Sequence, residues 1–302
     1  LPARSLRIVD RFAPEAGGLR EAFETRAGDE RRAEAGRFVW DWWHVPGQYT
    51  HLRTPAWHYF PKKLYESFHT RLVLWGRENL GCHDVSPPWL SAYVDGCGQE
   101  LHSDVPHGPW AFVFSLTPWR ARTFRGGTTM LLKDETLDYW KGFGERRAFE
   151  ADAILERVPA LFNRLLVFDP RVPHGVEKVH GAQGLLDARL VIHGWFVEPR
   201  PFIKGPIPVS RAENVLGDFI EHLPSRLPLT LEQGLHGTMS LRLKVSAAGR
   251  VTRVERLTDT LRTLGAGASE AQISKAVVKA AQILSFGRLR GPAQITLPIL
   301  FR

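Results

Sequence analysis

Short apolar runs, each closed by glycine, proline or polar turn residues, dominate the middle of the chain at 89–94, 99–105, 110–117, 128–133, 164–169, 174–179 and 188–197. Runs of this length and spacing predict the strands of a double-sheet jelly roll. Ahead of them the pattern is helical. Pro61 can open a helix in its first turn, Leu64, Phe68, Leu72 and Trp75 recur at helical spacing, and Gly76 supplies a stop. Residues 1–84 therefore read as mainly helical with an aromatic-rich loop, a support that covers the barrel's larger sheet.

Beyond the barrel the pattern changes twice. Between Lys133 and Asn163 lies a charged insertion with helical character around 145–157, which could border a site or cover a barrel edge. Pro201, Pro206 and Pro208 interrupt both helix and sheet ladders, so 201–210 reads as a linker. After it, Val215, Leu216, Phe219, Ile220 and Leu223 form an amphipathic helix. Two β-runs follow at 237–245 and 249–257, joined by a hairpin turn at 246–249, then a helix over 270–284 and a strand at 294–301. The predicted class is α+β: a jelly-roll barrel with N-terminal supporting helices, plus a small C-terminal β-β-α-β domain. The expected division is 1–205 (1–84 support, 85–200 barrel core) and 211–302.

Composition narrows the setting. At 302 residues and 43% hydrophobic, the chain can build a large core, or one large and one small. No apolar run approaches a membrane span, and residues 1–4 carry no secretory h-region. Cys82 and Cys97 are the only cysteines, too few for a disulfide framework, which predicts a reducing, cytoplasmic setting. The net charge of +8 suggests nucleic acid until it is counted by segment. Residues 207–302 hold thirteen Lys and Arg against seven Asp and Glu, leaving only +2 for the rest. That excess is spread along the tail as a solvated face, so neither nucleic acid nor membrane is an expected partner.

The aromatic run 38–43, with Trp57, Tyr59 and Phe60, has two readings. Core packing under the sheet comes first; a substrate wall at the barrel mouth is the other.

Candidate chemistry sits in the β-rich middle. His102 and Asp104 stand two residues apart, and alternate side chains of a strand share a face. His174 follows 72 positions later and must arrive from another strand. Two imidazoles and a carboxylate are the ligand set of a non-haem Fe(II) centre with one face open. Arg189 adds a fixed positive charge suited to a bidentate carboxylate pair.

Taken in order, Tyr93 and Gly98 before His102-Ser103-Asp104, then Gly126-Gly127-Thr128-Thr129, Pro173-His174, and Ala188-Arg189 with Trp195, resemble the prolyl-hydroxylase-like branch of the 2-oxoglutarate/Fe(II)-dependent dioxygenases over about residues 85–200. The resemblance implies Fe(II) on His102, Asp104 and His174. It implies 2-oxoglutarate as cosubstrate, its far carboxylate on Arg189, with Tyr93, Thr129 and Trp195 lining that pocket. It also implies O2 as co-reactant, succinate and CO2 as co-products, and ascorbate as a reductant. The product would be hydroxylated at an unactivated C–H of an amino-acid, peptidyl or small-metabolite substrate. The alternative is a non-enzymatic or zinc-dependent binding scaffold on the same fold, since the ligands also suit Zn(II). Residues 211–302 resemble the C-terminal domain of TonB-type proteins, which implies a small sheet with a free edge, open to a second copy or to a peptide partner.

Overall fold

The computed structural model describes residues 5–28, 40–104, 107–133, 136, 154–230 and 232–301. Its strands, in chain order, are β1 (Leu6–Asp10), β2 (Asp41–Val45), β3 (Tyr49–Pro55), β4 (Cys82–Val85), β5 (Trp89–Tyr93), β6 (Gly98–His102), β7 (Trp110–Ser115), β8 (Thr129–Leu132), β9 (Leu155–Val158), β10 (Arg164–Phe168), β11 (His174–Val176), β12 (Arg189–Pro199), β13 (Phe202–Lys204), β14 (Gly234–Val245), β15 (Val251–Asp259), β16 (Arg262–Leu264) and β17 (Ala293–Phe301). The helices are α1 (Ala16–Ala27), α2 (Ala56–Tyr59), α3 (Lys62–Asn79), α4 (Val209–His222) and α5 (Glu270–Gln282). None is long and apolar enough to cross a membrane. The chain divides into two units: residues 1–72 with 85–197, and residues 73–84 with 198–302.

In the first unit the strands form one antiparallel sheet in the order β1-β10-β7-β12-β5-β3-β6-β11-β8-β9, with β2 added to β3. The sheet curls back on itself. Its two ends meet in an apolar cluster that joins Ala111, Leu166 and Phe168 of β7 and β10 to Leu131 and Val158 of β8 and β9. Across the curl, Arg189 of β12 reaches Thr129 of β8, five strands away along the order. The result is a jelly-roll-like half-barrel with a lined interior. Helix α3 covers one outer face because Tyr65, Phe68 and Leu72 fall on one side of it and are buried, Phe68 lying 4.7 Å from the Phe114 ring.

Four expectations are corrected. Residues 1–84 carry β1 and the β2–β3 hairpin as well as helices. Gly76 does not end α3, which runs on to Asn79; the stop is Gly81, at φ +73° in the left-handed region that side chains disfavour. Inside 201–210, Phe202–Lys204 is strand β13, paired to β17 between its flanking prolines. Leu155–Val158 is strand β9 rather than helix, while 137–153, where the remainder of that helix is expected, lies outside the described residues.

The second unit is a small antiparallel sheet, β13-β17-β14-β15 with β16 on β14, backed by α4 and α5. Leu216, Phe219, Ile273 and Val277 from the helices meet Met239, Leu241 and Leu243 of β14 in its core. A capping box at Ser269 and Gln272 starts α5. Residues 73–84 belong to this unit by hydrogen bonds as well as by position: Leu80 accepts from Ser240 Oγ at 2.8 Å, and Glu78 O accepts from Arg242 and Thr296.

Candidate active site

The half-barrel encloses a cavity of about 530 Å³, and all seven residues singled out in the sequence line it: Tyr93, His102, Asp104, Thr129, His174, Arg189 and Trp195. His102 and His174 are direct cross-strand neighbours on β6 and β11, so their side chains leave the sheet on the same face. Their ring centroids lie 4.6 Å apart. Each Nδ1 is tied to the backbone carbonyl two residues upstream, Glu100 for His102 (2.8 Å) and Val172 for His174 (2.9 Å). A carbonyl only accepts, so each Nδ1 carries the proton and each Nε2 keeps its lone pair for a ligand.

Both Nε2 atoms turn toward one carboxylate. His102 Nε2 lies 3.7 Å from Asp104 Oδ1, and His174 Nε2 lies 3.6 Å from Asp104 Oδ2. Strand alternation does not deliver this, because β6 ends at His102 and Asp104 lies beyond it. Instead the Asp104 N–H donates to Pro170 O (2.9 Å) and Ser103 Oγ donates to Arg171 O (3.1 Å), fastening the pair to the turn before His174. Burial by itself would raise the Asp104 carboxyl; the adjacent His174 ring, with His102 and His107 nearby, outweighs it and holds the group below its ordinary value. One donor atom from each of the three residues falls within 4.8 Å of the others, a span one ion can bridge.

Arg189 lies deeper, 1% exposed. Its Nη2 donates to Thr129 Oγ1 at 3.0 Å and its Cζ sits 4.7 Å from the Tyr93 ring centroid. Nε and Nη1 have no partner, and no carboxylate pairs with Arg189 among the described residues. Gly127, at φ +73°, makes room beside it, since a Cβ there would lie 3.2 Å from Arg189 Cδ. Burial pushes the Tyr93 phenol up to about 12, so it stays a neutral hydroxyl beside the guanidinium. Trp195 stacks on His107 with centroids 4.4 Å apart, and its Nε1 is buried without a partner.

Several lining residues escaped the sequence reading. Tyr49, His51 and Arg53 alternate along β3 into the cavity, and His193 joins them from β12. The one signal for them is the i, i+2 spacing of polar residues in 49–53. The aromatic run splits between its two readings. Trp40 packs beside Phe23 and Tyr59, while Trp42 is 56% exposed and Trp43 forms cavity wall, which corrects the core reading for that end of the run. Phe38 and Val39 lie outside the described residues.

His51 and His193 are neutral fixtures. Burial comes first in lowering both, with nearby positive charge adding to it, and takes His51 from 6.5 down to about 3 and His193 to about 4. The unfolded chain takes up these protons below about pH 6.5 while the folded chain does not. Stability is therefore complete above that pH and is lost as pH falls toward the folded values, at about 1.4 kcal/mol per unit for each ring. Urea denaturation between pH 6.5 and 4.5 should show this slope, and His51→Phe should remove about half of it. An unchanged slope in that variant would contradict the neutral assignment.

No family model matches the chain, and no curated protein matches it. Among solved structures it is similar to a prolyl-4-hydroxylase of Pseudomonas putida, at 18% identity and a TM-score of 0.43 over 65% of this chain and 93% of that one. A Trichoplax adhaerens prolyl hydroxylase, solved with a hypoxia-inducible-factor peptide fragment, gives 16% and 0.39 over 64% and 84%. A non-haem α-ketoglutarate-dependent epimerase of nogalamycin biosynthesis gives 14% and 0.42 over 63% and 75%. Likeness at this level leaves the chemistry to the side chains described above.

Proposed function

We propose that the chain is an Fe(II)- and 2-oxoglutarate-dependent oxygenase that hydroxylates a C–H of an amino-acid, peptidyl or small-metabolite substrate. The observation that carries this reading is Arg189. A guanidinium buried with two nitrogens unpartnered and no carboxylate beside it is costly unless a ligand anion completes it. It shares one cavity with a two-His, one-Asp donor set whose Nε2 atoms already converge. A metal site alone explains the histidines and not the arginine. A dicarboxylate with one end at the metal and the other at Arg189 explains both.

The residues present fit the two groups. His102, Asp104 and His174 would hold the ion, their Nδ1–H bonds fixing ring orientation and tautomer before it arrives. Arg189 would take the far carboxylate as a two-pronged donor, steadied by Thr129. Phe112, Phe168, Val176 and Val191 exclude water around them. When bound, the iron and cosubstrate supply oxidative decarboxylation to succinate and CO2 and the oxidising equivalent that hydroxylates the substrate. The chain's own contribution is to bind, orient and keep the cavity dry.

The test is co-product formation. Anaerobically loaded protein, given O2, should release succinate from 2-oxoglutarate, slowly without substrate and faster with a compound whose mass rises by one oxygen. Metal binding with no succinate under any condition would leave the zinc-type scaffold instead.

A further inference from the structure

Strand β3 carries a second guanidinium that the metal and 2-oxoglutarate leave unused. Arg53 is the cross-strand neighbour of Ser91 on β5, two residues from Tyr93, whose own neighbour on β12 is Arg189. At about 3.3 Å per residue, Arg53 sits about 7 Å further along the barrel, toward Trp89 and away from the cosubstrate end. It lines the same cavity.

Its setting is specific. The Arg53 Cζ lies 3.3 Å from the Trp43 ring centroid and 4.1 Å from that of Trp89, so an indole rests against the guanidinium on each count. Stacking of this kind occupies the planar faces and leaves the N–H rim to bind. Nε is buried without a hydrogen-bond partner. Asp41, the cross-strand neighbour of Arg53 on β2, is exposed and makes no ion pair with it. Trp43 in turn stacks on Tyr49, 6.1 Å away with planes 2° apart, and Tyr49 lies 6.5 Å from the His102 ring. A continuous aromatic wall thus leads from the metal donors to Arg53.

We propose that Arg53, clamped by Trp43 and Trp89, is the substrate-recognition residue, and that the substrate is a small acid anchored there by its carboxylate. The proposal rests on the oxygenase reading and narrows its substrate class. A planar fork matches a carboxylate bidentately. Of the two arginines among the lining residues, Arg189 is committed to the cosubstrate, which leaves a single fixed charge for a monoanion rather than a dianionic phosphate. An acid held at this end would lay the rest of its length along the Trp43–Tyr49 wall toward the metal.

The experiment uses the full chain loaded with Zn(II) and saturating 2-oxoglutarate, so that Arg189 is occupied. N-acetylalanine and N-acetylalaninamide are titrated while the indole N–H signals of Trp43 and Trp89 are followed by NMR. The acid should shift both signals and bind at least about tenfold more tightly than the amide. Arg53→Met should bring the acid down to the amide's affinity, and Arg53→Lys should recover part of it, while both variants keep wild-type 2-oxoglutarate affinity. Equal binding of acid and amide, or an unaffected Arg53→Met, overturns the proposal. Inorganic phosphate binding tenfold more tightly than the acid overturns the carboxylate assignment. If Zn(II) or 2-oxoglutarate fails to bind at all, the oxygenase reading falls, and the acid–amide difference at Trp43 and Trp89 still decides Arg53 by itself.

Discussion

Replacing His174 by Ala should lower Fe(II) affinity by more than about 100-fold, and His102→Ala and Asp104→Ala should do the same. Groups that merely orient a ligand typically cost 10- to 100-fold when removed, so a direct donor costs more. His174 is the strongest case, being 6% exposed and held by Val172 O, with Asp104 Oδ2 3.6 Å from its Nε2. Folding should survive, because the side chain faces an existing cavity rather than a packed core. Anaerobic calorimetry with Fe(II), beside a thermal melt of each variant, separates lost metal from lost fold. Tight iron binding by any one of the three would remove that residue from the donor set.

The second large effect belongs to Arg189. Arg189→Met should weaken 2-oxoglutarate by about 2–5 kcal/mol, or roughly 30- to several-thousand-fold, because the far carboxylate would be buried unpaired. Iron affinity should change little, since Arg189 contacts Thr129 and Tyr93 and not the donors. The metal-loaded variant should therefore bind iron normally and need far more cosubstrate. Monocarboxylate 2-oxo acids should bind it about as well as they bind wild type. A 2-oxoglutarate affinity unchanged in the variant would place the dicarboxylate elsewhere.

What could be read from the sequence divides along physical lines. The proposed donor set was legible because each member carries distinctive chemistry, and the fold brings its three donor atoms within 4.8 Å of one another. The spacing argument for it was only half the mechanism, since Asp104 lies past the end of β6 and is positioned by Pro170 and Arg171. Strands β5, β7, β10 and β12 were legible from their apolar content, four or more of their residues being buried in each. Strand β3 was not. It places Tyr49, His51 and Arg53 on the inner face, with Thr50 and Leu52 between them, so Leu52 is the one aliphatic residue from 49 to 54 and no apolar alternation betrays the strand. With β3 unseen, the hairpin that carries Trp43 was unseen too, and core packing came first for a run whose Trp42–Trp43 end is exposed. Gly76 misled because a helix tolerates one glycine when neighbouring turns are held, and Leu80 N still donates to Gly76 O at 2.9 Å. Strands β13 and β16, three residues each, are too short to show a period.

The central claim is that one cavity holds a metal on His102, Asp104 and His174 and a dicarboxylate between that metal and Arg189. Its most direct measurement is a sequential anaerobic titration, Fe(II) first and 2-oxoglutarate second, on wild type and Arg189→Met. The account predicts one Fe(II) per chain in both proteins, then one 2-oxoglutarate that binds wild type tightly only after the metal and is weakened in the variant. Binding of 2-oxoglutarate that ignores both the metal and Arg189 would contradict it.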